Sequence, residues 1–251
     1  MRTLTAAVFA VVLLAAAASA AERQACEIPG YLLFGNNELK HVTEAVKTAK
    51  RLTIAVVGTG SSALAGPDGP PSAYPARLEA ALKQRLPSIA VKVVTLVRSR
   101  LSAEDLAKGM GKLLIDEKPD LVIWQSGTID AMRRIEPEDF RAALEEGVET
   151  LQKGGADVIL MNMQYSPRTE TMIALGPYAD SMRLVAQQHE IPLFDRLTIM
   201  RHWSDVGAFD LYAAGKDNVL AHRVHDCIGR GIASMVIDAA HLRGAENKAG
   251  Q

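Results

Sequence analysis

Ile54-Ala55-Val56-Val57-Gly58-Thr59-Gly60-Ser61-Ser62 decides the fold. Its first four residues are apolar and partly β-branched, and they run into a glycine-bounded turn that ends in two serines. A strand without a polar alternate is buried on both faces, which is the condition of a parallel sheet in an α/β protein. It delivers whatever follows to the carboxyl rim of the sheet, where ligands of open α/β folds bind. Two chemistries fit these letters. One is a serine held at the rim as a nucleophile; the other is a dinucleotide loop, G-x-G-x-x-A from Gly58 to Ala63.

On either side, strand and helix patterns alternate. Strands are expected at Leu52–Gly58, Ile89–Val97, Asp120–Gln125, Asp157–Asn162 and Ile191–Phe194. Helices are expected at Asn37–Lys50, Pro75–Arg85, near Thr171–His189 and over Val219–Leu242. Ser102 caps another, with Asp105 at the capping-box position, and Glu136-Pro137 opens a long one that stops at Gly154-Gly155. Repeated β-α units with crossover helices of this length give a mostly parallel sheet of about five strands, covered on both faces.

Residues 1–20 read as a secretory signal: Arg2, an apolar stretch from Leu4 to Leu14, and Ala18-Ser19-Ala20 as a small-residue cleavage site. The expected organisation is then an N-terminal segment with a helix at 21–50, one α/β domain at 51–243 and a short tail at 244–251. The location is secreted or periplasmic, with no stable membrane insertion after cleavage. A formal net charge of -1 and the absence of a basic stripe argue against nucleic acid. Cys26 and Cys227, an even pair in an oxidising compartment, are read as a disulfide.

The dinucleotide reading needs a helix that starts within the glycine loop, so that its N-terminus meets the pyrophosphate. Here Gly66-Pro67-Asp68-Gly69-Pro70-Pro71 postpones the helix, and Val97-Arg98 stands where an acidic residue should end the second strand. The nucleophile reading gains from the other strand ends. Ser126-Gly127-Thr128-Ile129-Asp130, Ser99 to Asp105, and Asn162 to Pro167 all reach the same rim, and Asp217 precedes His222 and His225 at the last helix. Such convergence is what acyl-ester hydrolysis by an activated serine requires.

At these residues the chain resembles the SGNH (GDSL) hydrolase family of esterases and lipases, over roughly residues 52–240. Gly60-Ser61-Ser62 matches the family's first block, and Tyr74-Pro75-Ala76-Arg77-Leu78, Pro119 to Gln125, Gly155 to Leu160 and Met200-Arg201-His202-Trp203 match a bacterial branch. The resemblance implies a three-layer flavodoxin-like fold and a secreted serine ester hydrolase acting on a small acyl, perhaps acetyl, ester of a small molecule or glycan. It makes Ser62 the nucleophile, His222 the base and Asp217 its orienting partner. Ala103 and Gly127 fall on the oxyanion turns, and Gln164 lines the pocket. No metal or organic cofactor is implied.

The sequence departs from the family at three places. Ala103 replaces a glycine whose N–H holds the oxyanion, and Ile129 replaces an asparagine donor, a loss worth on the order of 10²–10³ in rate. The last block, Asp-x-x-His, runs from Asp217 to Leu220. His222 lies two residues further on, a turn of roughly 200° in a continuous helix. A non-catalytic binding protein of the periplasm or cell envelope, built on the same fold, is therefore the alternative. His202 is a rival base, and His222 with His225 is read as an exposed polar helix face in preference to a metal site.

Overall fold

The computed structural model describes residues 26–34, 37–212 and 218–243. One sheet contains β1 (Leu33–Phe34), β2 (Arg51–Gly58), β3 (Ala90–Val97), β4 (Leu121–Gln125), β5 (Asp157–Met161) and β6 (Leu193–Phe194), in the order β1-β6-β5-β4-β2-β3. Strands β2 to β6 are parallel; the two-residue β1 pairs antiparallel with β6. The five parallel strands have the flavodoxin-like order, which reverses direction between β2 and β4. The fold expected from the sequence is the one observed, with one short edge strand added.

Strand burial follows position. All five residues of β4 are buried at the centre, whereas the edge strand β3 exposes Ala90 and Lys92. Strand β6 is shorter than the Ile191–Phe194 pattern because Pro192 has no N–H to give; its carbonyl accepts from Leu160 (3.0 Å) and the ladder starts at Leu193.

Right-handed crossovers place the helices on opposite faces as the strand order reverses. Helix α1 (Lys40–Glu44) precedes β2, and α2 (Tyr74–Arg85) connects β2 to β3. Helices α3 (Ala103–Ala107) and α4 (Met110–Glu117) connect β3 to β4, and α5 (Thr128–Arg133) and α6 (Pro137–Lys153) lead to β5. The helix expected near Thr171–His189 is two, α7 (Pro167–Met172) and α8 (Gly176–Gln188). Ile173 is extended between them, and Pro177 starts α8 afresh. Helix α9 (Arg196–Asp205) follows β6 after Asp195 alone, and α10 (Val219–Ala239) packs along α2. No described helix is long and apolar enough to cross a membrane.

The α2–α10 contact is close because of Gly229. A Cβ there would lie 2.7 Å from Arg77 Cβ and 2.8 Å from the Leu78 nitrogen, so any side chain would push the helices apart. At the other end of the chain, Cys26 and Cys227 are joined, with Cα atoms 5.0 Å apart. The N-terminal segment also docks through its own apolar side chains. Leu32, Leu39, Val42 and Val46 are buried, more anchoring than its sparse apolar content suggests.

Candidate active site

The turn after β2 and the end of β4 meet at the point where strand order reverses, the position at which this class of sheet opens a crevice. Val57 pairs with Trp124, which sets Gln125 beside Gly58. Gln125 is wholly buried. Its Oε1 accepts from the Thr59 N–H (3.1 Å), Thr59 Oγ1 (3.1 Å), Ser61 Oγ (3.2 Å) and Ser62 Oγ (3.1 Å). A carbonyl oxygen has two lone pairs, so four donors share them and the whole turn is pinned to one side chain.

Ser62 sits beneath this turn. It is 1% exposed, its hydroxyl is shared with Tyr74 Oη at 2.9 Å, and a Cβ on Gly58 would collide with it. Burial raises the Tyr74 phenol above its ordinary pKa, outweighing the Ser62 hydrogen bond and the Arg196 charge. The neutral phenol offers Ser62 no base. Ser61, one residue earlier, is the serine that reaches the rim. It lines a hollow of about 380 Å³ together with Gln164, Arg196, Leu220 and His225.

Arg196 is wholly buried in the side of this hollow. Its Nη1 donates to the Ser61 carbonyl (3.1 Å) and weakly to Ser61 Oγ (3.4 Å), and its Nη2 donates to Gln164 Oε1 (2.8 Å). The guanidinium lies over the Tyr74 ring at 5.8 Å, and its Nε has no partner. Burial lowers its pKa to about 10, so it stays charged at neutral pH. Among the described residues it pairs with no carboxylate. The adjacent Asp195 is committed elsewhere, to Arg183, Asn162 and the Thr198 N–H.

His225, also buried, faces a different demand. Tyr74 opens α2, and Ala73 at the N-cap has no side-chain acceptor for the first-turn N–H groups. His225 Nδ1 accepts from the Tyr74 N–H at 3.0 Å. A backbone N–H only donates, so Nδ1 must keep its lone pair and the proton of the neutral ring sits on Nε2. Burial, then the charges of Arg196 and His222, push its pKa down to about 3. The ring gives the hollow an N–H and cannot take a proton from a serine.

The structure does not bring His222 to Ser62. Leu220, Ala221, Val224 and His225 line the rim hollow, whereas His222, Arg223, Asp226 and Cys227 line a separate one beside Cys26 and Arg77. These are two sides of α10, as the roughly 200° between residues two apart requires. The reading of His222 and His225 as one exposed face is corrected by the burial of His225. Asp217 lies outside the described residues. His202 is half-buried on α9.

The expected oxyanion donor is also occupied. Ala103 gives its N–H to Asp130 Oδ1 at 2.8 Å. Asp130 is buried, and burial raises its pKa despite the N–H groups of Ala103 and Gly127. Gly127 has φ +103°, and a Cβ there would collide with Met163 Sδ, which fixes this second turn. Gln164 does line the hollow, with its oxygen held by Arg196. Sequence reasoning passed over Arg196, Tyr74, Gln125 and Asp130 as a set. For Asp130 the signal was its place in the Gly127 turn; for Arg196 nothing local announces burial.

The sequence matches the non-GDSL lipase-like family over residues 25–242. Similar solved structures include TesA, with a TM-score of 0.53, 22% identity and coverage of 72% of this chain and 97% of that one. LAE5, an alpha/beta hydrolase enzyme from the metagenome of Lake Arreo, Spain, gives 0.57, 21%, 76% and 96%. Axe2, an acetylxylan esterase from Geobacillus stearothermophilus, gives 0.59, 19%, 74% and 94%. At these identities the likeness is one of fold. No curated protein matches significantly.

Proposed function

The chain belongs to the non-GDSL lipase-like family, and from that premise we propose that it is an exported SGNH-fold protein whose rim hollow binds a small acyl ligand without cleaving it through an acyl-serine. One observation carries this reading: the Tyr74 N–H fixes His225 as a donor, so the one histidine among the described residues that line the serine's hollow has no lone pair to offer it. Without a base a serine hydroxyl is a weak nucleophile. The commitment of the Ala103 N–H to Asp130 and the isoleucine at position 129 point the same way. An acyl ligand is supported by the hollow's mixed lining, in which Leu64, Met200, Leu211, Leu220 and Val224 stand with the polar Ser61, Gln164 and His225. Export is supported by the leader pattern at residues 1–20 and by the Cys26–Cys227 bridge.

Ester hydrolysis is the second reading, favoured by the Ser61 hydroxyl, which reaches the hollow beside Arg196. On that reading the substrate is a small acyl ester, of the kind that acetylated glycans carry. A fluorophosphonate probe followed by intact-mass measurement separates the two. The binding reading expects no serine adduct, and turnover of nitrophenyl acetate no faster than that of the Ser61→Ala/Ser62→Ala double variant. An adduct lost in either single variant would restore hydrolysis and identify its nucleophile.

A further inference from the structure

We infer that a second hollow, on the other side of α10 from the rim, is a binding site for a phosphate dianion, as a small phosphomonoester or a lipid headgroup presents it. It shares no lining residue with the rim hollow, so it stands whether or not that hollow cleaves esters. Its volume is about 300 Å³, and Arg77, Arg223, Arg230 and Asp226 line it beside the Cys26–Cys227 bridge. Contacts with other lining groups place two of the guanidiniums at its wall. Arg230 Nη2 donates to Cys26 Sγ (2.8 Å) and to Asp226 Oδ2 (2.7 Å), and the Arg223 guanidinium lies 5.2 Å over the Phe209 ring. Both are open to solvent: Arg223 is exposed, and the Arg230 side chain is 38% exposed.

The charges there do not balance. Three guanidiniums meet one carboxylate, and Arg230 already occupies it. Arg77 reaches only Ser72 Oγ, at 3.4 Å, and among the described residues the Arg223 guanidinium meets the Phe209 ring and no acceptor. The hollow also takes in the fourth residue of two helices, Arg77 of α2 and His222 of α10. Neither first turn holds an acid, so the positive ends of both helix dipoles stand unanswered. Like charges gathered in one hollow repel, and a bound anion removes that cost. With His222 neutral the excess is two positive charges, which matches a phosphomonoester at about −1.5 to −2 near pH 7. The forked donors of arginine suit phosphate oxygens. Apart from Phe209 and the bridge, the described lining is charged or imidazole, which favours a polar anion over an apolar ligand.

The test measures glycerol phosphate, inorganic phosphate and acetate by calorimetry and thermal denaturation at one fixed ionic strength. Both phosphates are expected to bind saturably and raise the melting temperature, because a ligand of the native state stabilises it by mass action. Acetate, with half the charge, is expected to bind at least about tenfold more weakly. Arg223→Gln and Arg230→Gln are each expected to lower phosphate affinity by about tenfold or more, the worth of a hydrogen bond to a charged group. Asp226→Asn frees Arg230 and removes the carboxylate that repels the ligand, and is expected to raise affinity about threefold or more. Lys112→Gln, an exposed position on α4, changes the net charge equally and is expected to leave affinity unchanged. Should Arg230→Gln not fold, the Arg223 and Asp226 variants decide. No binding of either phosphate at millimolar concentration, equal binding of acetate, undiminished binding by Arg223→Gln, weakened binding by Asp226→Asn, or an equal loss in Lys112→Gln overturns the inference. Sedimentation with phosphatidylcholine vesicles, with and without phosphatidic acid, separates the two sources. Arg223-dependent binding to the vesicles that contain phosphatidic acid assigns the site to a lipid headgroup, and glycerol phosphate binding without it assigns a free phosphomonoester.

Discussion

The backbone N–H of Tyr74 donates to Nδ1 of His225 at 3.0 Å, tying the first turn of α2 to α10 across 151 residues of sequence. Gly229, one helical turn beyond His225, makes this possible by letting the two helices approach until a Cβ would touch Arg77. The imidazole therefore does the work of an N-cap. A histidine so used has its tautomer chosen by the backbone, and the hollow at the sheet's rim inherits a donor where a hydrolase needs an acceptor.

The buried ring should make stability depend on pH in a particular window. Its pKa falls from the ordinary 6.5 to about 3 in the folded protein. Above about 6.5 both states hold it neutral. Below that the unfolded chain takes a proton and the folded one does not, so stability falls as the pH drops, by up to about 1.4 kcal/mol per pH unit, until the folded ring protonates. Asp130, whose pKa is raised, acts in the opposite sense on acidification. The His225 contribution is isolated by comparing urea unfolding of the native sequence and His225→Gln from pH 7 to 4.5: the native protein should lose more stability. Parallel curves would show that the ring is not held neutral.

Gln125 is expected to matter for stability more than a single amide usually does. Gln125→Leu removes the acceptor shared by the Thr59 N–H, Thr59 Oγ1, Ser61 Oγ and Ser62 Oγ. Buried donors left unpaired cost about 1–3 kcal/mol. Urea midpoints should drop accordingly, whereas Gln152→Leu, which loses only an exposed bond to the His189 carbonyl, should cost less. Equal losses in the two variants would contradict the role given to Gln125.

The bridge between Cys26 and Cys227 closes a loop with a sequence separation of 201. In the loop-closure model such a link is worth roughly 5 kcal/mol, and real bridges often deliver less. Cys26→Ser/Cys227→Ser should lower stability by a few kcal/mol while leaving the sheet intact by circular dichroism. The buried Leu32, Leu39 and Val42 should keep the N-terminal segment docked in that variant. Rapid proteolysis before residue 50 would show instead that the disulfide alone holds it.

What the sequence disclosed and what it withheld divide by range. Ile54 to Gly58, Leu121 to Gln125 and Asp157 to Leu160 state their burial in their own letters, and Ser102 with Asp105 forms the expected capping box. The pattern from Thr171 concealed the break at Ile173, and the start of α8 at Gly176-Pro177 went unread. The site was harder because its decisive contacts are distant in sequence. Arg196 meets Ser61 across 135 residues and Tyr74 meets His225 across 151. A glycine-flanked pair of serines does not say which of them faces the rim. That choice is made by the short turn at Gly60–Ser62, which turns Ser62 inward onto Tyr74 and Gln125.

The donor character of His225 is read most directly from the ¹⁵N signals of its ring. In a long-range ¹H–¹⁵N spectrum of histidine-labelled protein, with His225→Gln used to assign the peaks, Nδ1 should be unprotonated and Nε2 should carry the proton. That pattern should hold unchanged from about pH 8 down to about pH 5. A proton on Nδ1 with the lone pair on Nε2, or a ring that titrates near 6.5, would contradict it and give the rim hollow the base that serine hydrolysis requires.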